Sequence, residues 1–312
     1  MRTGLHEMKL SRRTLLAALV PATTAPLAWS QAAAPLKVVA SFSILADLAR
    51  NVGGDAVTVH ALVGPDADAH AFQPRPADAQ RLAAADLVLV NGLGFEGWLQ
   101  RLVAASGYRG PVVVASAGIV PLRGATHAGH GHAHESDVDP HAWQDLARAQ
   151  RYVQNLQAAF SAARSDQAAG FAARAERYLQ RLRELDAATR QGLAAVPAER
   201  RRVLSTHDAF GYFAAAYGVQ FLAARGRNSS SEPSAADVAR LIVQIRQQRA
   251  TAVFVENISD PRLVQRIAQE AGAVVGGRLY SDALSAPGTE ADTFLKLFAH
   301  NAQTITAALR GR

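Results

Sequence analysis

From residue 37 onward, short apolar runs rich in Val, Leu and Ala alternate with longer stretches whose apolar residues recur every three or four positions. Runs of four to eight β-prone residues fit buried strands, and the wider spacing fits amphipathic helices. The strands expected of a first unit are 37–42, 57–63, 87–91 and 111–115. Those of a second are 202–205, 219–223, 252–256 and 273–279, with helices such as 234–249 and 261–271 between them. Strands alternating with helices give a parallel sheet covered by helices. The fold class expected is therefore α/β, with one architecture occurring twice as two Rossmann-like lobes.

Between the lobes, 166–196 contains no proline and places Phe171, Tyr178, Leu182, Leu185 and Leu193 at helical spacings. This predicts one long linker helix, roughly 45 Å long at 1.5 Å per residue, reaching from a lobe at 35–165 to a lobe at 197–312. A length of 312 residues suits two such domains better than one. Hydrophobic residues at 49% and charged residues at 19% exclude disordered and fibrous classes.

Residues 1–30 read as a cleaved export signal: basic residues from Lys9 to Arg13, an apolar stretch over 15–28 and small residues near Ser30. Arg12-Arg13 before the apolar run also fits a twin-arginine signal, and Met8 is as good a start as Met1. Pro21, Thr23, Thr24 and Pro26 break a run already too short to span a bilayer. The leader holds four basic residues and one acidic, so the formal charge falls from +7 to +4 without it. The remaining arginines lie beside Asp and Glu with no basic stripe, which argues against nucleic acid as a partner. Zero cysteines exclude disulfides and the acylated cysteine of a lipoprotein, so a soluble, monomeric periplasmic protein without a lipid anchor is expected.

Ten histidines without cysteine direct attention to nitrogen and oxygen metal ligands. His6 belongs to the leader, His60 to a strand and His300 to the last helix, where surface or packing roles suffice. His70 lies in the turn-rich loop Gly64-Pro65-Asp66-Ala67-Asp68-Ala69-His70 after the second strand. His207 follows the strand at 202–205, at the carboxyl edge where open α/β sheets bind ligands. Residues alone thus point to His70 and His207 as a pair facing one cleft. Glu96 and Glu256 stand near strand ends; they are read as ordinary surface carboxylates ahead of a ligand-orienting role. In 126–139, His127, His130, His132 and His134 alternate with Gly, Ala and acidic residues and present no apolar face, as expected of a solvent loop.

The His70 loop, Asp139-Pro140-His141-Ala142-Trp143, Thr206-His207-Asp208-Ala209-Phe210-Gly211-Tyr212-Phe213 and the weaker Ser231-Glu232-Pro233-Ser234-Ala235 together resemble the ZnuA/TroA-like metal-binding proteins of ABC importers. The resemblance spans the mature chain. Carried over by position, it implies four metal ligands, His70, His141 at the start of a helix, His207 and Asp282, two from each lobe. It implies a binding protein without turnover that delivers its ion to a membrane permease. Three imidazoles and one carboxylate suit tetrahedral Zn²⁺. The nitrogen-rich set favours Zn²⁺ over the manganese or iron of other members, which carry a carboxylate at the position of His207. The histidine-rich tract resembles the loop of zinc-specific members and is read as an accessory zinc collector. The cysteine pair of many such members is missing, which leaves open whether a periplasmic metallochaperone supplies the zinc. A zinc hydrolase, with Asp282 as general base, is the rival from another class, but neither a nucleophile elbow nor a His-Glu-x-x-His helix is present.

Overall fold

A computed structural model describes Met1 and residues 34–123, 138–227, 234–248 and 252–311. The leader beyond Met1, the histidine-rich tract with His127, His130, His132 and His134, and Ser231-Glu232-Pro233 lie outside the described residues.

The first sheet takes β1 (Leu36–Phe42), β2 (Val57–Val63), β3 (Leu87–Val90) and β4 (Val112–Val114) in the order β2-β1-β3-β4, every pair parallel. β3 and the inner part of β1, from Val38 to Phe42, are buried on both faces, whereas the burial of the edge strands alternates. The helices α1 (Ser43–Gly53), α2 (Pro76–Ala83) and α3 (Leu99–Ser106) connect the strands. α4 (Leu146–Ala163) then leads into α5 (Ala168–Ala194). The second sheet repeats the plan with β5 (Arg202–His207), β6 (Gln220–Arg225), β7 (Ala252–Glu256) and β8 (Val274–Leu279), all parallel in the order β6-β5-β7-β8. Its helices are α6 (Gly211–Tyr217), α7 (Ala235–Gln248), α8 (Arg262–Ala271) and α9 (Phe294–Arg310). In each sheet the strand order reverses beside the first strand, at β1/β3 and at β5/β7. The crevices for ligands lie at the carboxyl ends of those pairs.

The long helix is present but starts at Ala168 after a 3-10 turn over Ser165–Gln167 and stops at Ala194. Pro197 disfavours helical backbone at the residue before it, which accounts for the early stop. With 27 residues α5 runs about 40 Å. Phe171, Tyr178, Leu182 and Leu193 on its inner face are buried in one core that continues from α1 and the first sheet to Phe213, Phe294 and Phe298 of the second lobe, with Leu185 half-buried beside it. Leu204 and Val253 face the other way, into a separate core with Ile242, Ile245, Val264 and Ile267 of α7 and α8. A period of two along β5 and β7 thus serves two cores at once.

Candidate metal centre

β5 and β7 each end on a polar residue at the reversal point of the second sheet: His207 closes β5 and Glu256 closes β7. The Glu256 carboxylate accepts the His207 backbone N–H at 3.0 Å and lies 2.6 Å from its Nδ1. The carboxylate thus stands beside Nδ1 in close contact, though outside hydrogen-bond geometry, and leaves Nε2 to face Asp282, the place a carboxylate takes behind a ligating imidazole. His141 has the same arrangement from a different local source. Asp139 Oδ1 accepts the His141 N–H at 3.0 Å and meets its Nδ1 at 2.8 Å. The Asn91 side-chain amide holds the Pro140 carbonyl at 2.9 Å, and Asn91 is itself held by the Tyr152 hydroxyl at 2.6 Å. Glu96 Oε1 accepts Asn91 N–H and the Ser41 hydroxyl, both at 2.6 Å.

The His70 loop is shaped by Asp68, whose Oδ1 accepts the His70 N–H at 2.8 Å, and by the Trp98 indole, which donates to the Ala69 carbonyl at 2.8 Å. The His70 ring stands edge-on to Phe95, 4.7 Å between centroids, in an aromatic wall shared with Phe42 and Trp143. Asp282 arrives on the segment between β8 and α9. Its neighbour Ser281 gives its carbonyl to Trp143 Nε1 at 3.0 Å and to Gln144 Nε2 at 2.9 Å, and Leu284 N–H donates to Ser43 Oγ at 3.0 Å.

These four side chains converge, their ligand atoms lying within 4.8 Å of one another. His70 Nε2 is 3.3 Å from His141 Nε2 and 3.3 Å from Asp282 Oδ2; His207 Nε2 is 3.2 Å from the same oxygen, and His141 Nε2 is 3.6 Å from Oδ1. Ligands about 2.0–2.1 Å from a tetrahedral Zn²⁺ are separated by roughly 3.3 Å along the edges of the tetrahedron. His141, His207 and Asp282 are fully buried, and neither Asp282 oxygen has a hydrogen-bond donor in good geometry among the described residues. Buried polar atoms without such partners are costly, and a cation at their common focus removes the cost. Burial works against charge on His141, but Asp282 and Asp139 outweigh it and raise its pKa to about 9. His207 is likewise raised, against burial, by Glu256 and Asp282. Asp282 is held well below the usual carboxylate range: burial opposes ionisation and the two imidazoles overcome it.

Two expectations need correction. Glu96 and Glu256 are not surface carboxylates: both are buried, at 9% and 3% exposure, and both act in the scaffold described above. A strand end at a reversal point is an interior position in this fold, so nearness to a strand end was the signal for burial. His141 does not begin an α-helix; it precedes the 3-10 turn Ala142–Gln144, and α4 starts at Leu146 with Asp145 as its cap. Asp139 was visible only as part of a motif, and its hold on the His141 ring required coordinates. His60 is exposed on β2 and His300 lies on α9, away from the cluster.

A family model described as zinc-uptake complex component A, periplasmic, ZnuA, matches residues 38–308. The chain belongs to the ZnuA family. It is a metal-binding, substrate-binding protein of ABC importers and not an enzyme. Among its relatives, the manganese-binding lipoprotein MntA of Bacillus subtilis is 33% identical over 281 residues, covering 88% of this chain and 90% of MntA. The iron-binding protein YfeA of Yersinia pestis is 31% identical over 278 residues, with coverage of 88% and 87%. Among solved structures, the periplasmic zinc-binding protein TroA of Treponema pallidum superposes with a TM-score of 0.81 at 30% identity, over 88% of this chain and 99% of TroA.

The orienting carboxylates of this ZnuA-family chain lead to a direct expectation. Asp139→Asn and Glu256→Gln should each weaken metal binding by about 10- to 100-fold, the usual cost of losing a carboxylate behind a metal-bound histidine. Asp208→Asn serves as control, since Asp208 adjoins His207 in sequence but pairs with Arg227. Competition against a chromogenic chelator measures all three; equal affinities across the set would remove Asp139 and Glu256 from the site.

Proposed function

We propose that the chain captures Zn²⁺ in the periplasm, with His70, His141, His207 and Asp282 as ligands, and delivers it to the permease of a zinc ABC importer. The lobes at 35–165 and 197–312 are the two jaws, and the helix within 166–196 is the strut between them. The observation that carries this reading is the convergence of three imidazole nitrogens and one carboxylate within 4.8 Å of one another, with four of the contacts at 3.2–3.6 Å. Overall similarity does not choose the metal, because the proteins named for manganese, iron and zinc lie within 30–33% identity. The donor set supports zinc: three nitrogens suit a borderline ion, whereas manganese prefers more oxygen. MntA is named a lipoprotein, whereas this sequence has no cysteine to carry acyl chains, which supports a protein free in the periplasm.

Manganese or iron is the second reading, supported by the two oxygens that Asp282 turns toward the imidazoles, which allow a shell larger than four. Competitive titration with Zn²⁺ and Mn²⁺ separates the two readings. The wild type should prefer zinc strongly. His207→Glu should shift the ratio toward manganese by replacing nitrogen with oxygen, without full reversal, since the Irving–Williams order still favours zinc at a shared site. A wild-type preference for manganese, or a ratio unmoved by His207→Glu, would defeat the zinc reading.

A further inference from the structure

α6 begins at Gly211, directly against the carboxylate that orients His141. A Cβ at position 211 would overlap Asp139 Oδ2 and come within 3.7 Å of Asp139 Cγ. Asp139 is buried and its other oxygen is committed to the His141 N–H and Nδ1. The carboxylate therefore cannot rotate away without releasing the imidazole. The next residue seals the same contact: Tyr212 OH donates to the Asp139 carbonyl at 2.9 Å and accepts the Leu122 N–H at 3.0 Å. Gly211 and Tyr212 belong to the second lobe, whereas Leu122, Asp139 and His141 precede the linker helix. Gly211 has no left-handed φ that would demand glycine. In a helix, alanine is preferred over glycine by about 1 kcal/mol, so helix formation gives no reason for glycine here.

We propose that Gly211 is a positioning residue for metal capture. By lacking a side chain it lets α6 of the second lobe seat on Asp139 without displacing the carboxylate that orients His141. This rests on the proposed ligand role of His141.

The test is Gly211→Ala in the full chain, alone and combined with Asp139→Ala, with Zn²⁺ affinity measured by chelator competition and melting measured without metal. The substitution should weaken zinc about 10- to 100-fold, as loss of a histidine-orienting carboxylate does. Combined with Asp139→Ala, it should leave the metal-free protein melting no lower than Asp139→Ala alone, because the overlap is then removed. In the Asp139→Ala background it should have no further effect on zinc, which isolates the steric pair. Unchanged zinc affinity in Gly211→Ala, or a loss of affinity or of melting temperature that persists without Asp139, would overturn the assignment. A wild-type protein that fails to bind zinc would instead defeat the metal-site reading itself.

Discussion

Replacing His141 with alanine is expected to lower zinc affinity by about two orders of magnitude and to abolish most of the zinc-induced rise in melting temperature. Structural zinc sites contribute apparent binding free energies of about 10–16 kcal/mol, so an equal share per ligand is roughly 3 kcal/mol, or about 100-fold. The loss at His141 should exceed that at His70. His141 is fully buried and backed by Asp139, and its removal leaves the Asp139 carboxylate without its imidazole partner, whereas the His70 side chain keeps 6% exposure. Ligand at a thousand times its Kd stabilises the folded state by about 4 kcal/mol, so the thermal shift is a sensitive readout of the change. Calorimetric melting of wild type, His141→Ala and His70→Ala, with and without zinc, measures it. An undiminished shift in His141→Ala would place the ion elsewhere.

Zinc affinity should fall steeply as pH drops below about 9, by tenfold or more for each unit. Without metal, His141 has its pKa raised to about 9 because Asp282 and Asp139 together outweigh its burial, and Glu256 and Asp282 raise His207 in the same way. Both imidazoles then hold protons at neutral pH that zinc must displace. One displaced proton gives a tenfold change per pH unit, and two give a hundredfold change. Stability of the metal-free chain should move in the opposite direction. A histidine whose folded pKa exceeds its unfolded value, about 6.5, stabilises fully below pH 6.5 and loses that contribution as pH rises toward 9. Between those limits the metal-free melting temperature should fall while the increment due to zinc grows. Melting curves and chelator competition across this window check both slopes. Affinity that is flat with pH would mean that the imidazoles are neutral before zinc arrives, and that the carboxylates do not face them as described.

The expected two-lobe α/β plan was legible because it rests on local periodicity. The boundaries of β2 and β7 were read without error, and those of the other strands within two residues, since apolar runs bounded by turns carry their own limits. The linker helix was read two residues too long at each end, because capping at Ser165–Gln167 and the restriction imposed by Pro197 act over single residues. His70 and His207 were legible as loop and strand-end histidines. His141 and Asp282 were reached through resemblance, since neither stands in a pattern that local physics marks.

Amino-acid order by itself determined which segments are strands and helices, that the chain repeats one plan, and which residue types are present to bind a metal. These follow from side-chain periodicity and composition, which act between near neighbours in the chain. Tertiary structure alone decided that Glu256 stands behind His207, that Trp143 and Gln144 hold the carbonyl beside Asp282, and that Gly211 leaves room for the Asp139 carboxylate. Each joins residues between 49 and 138 positions apart. Such pairings are set by how two sheets and a strut pack, and burial makes each hydrogen bond costly to lose, so their chemistry exists only once the lobes are assembled.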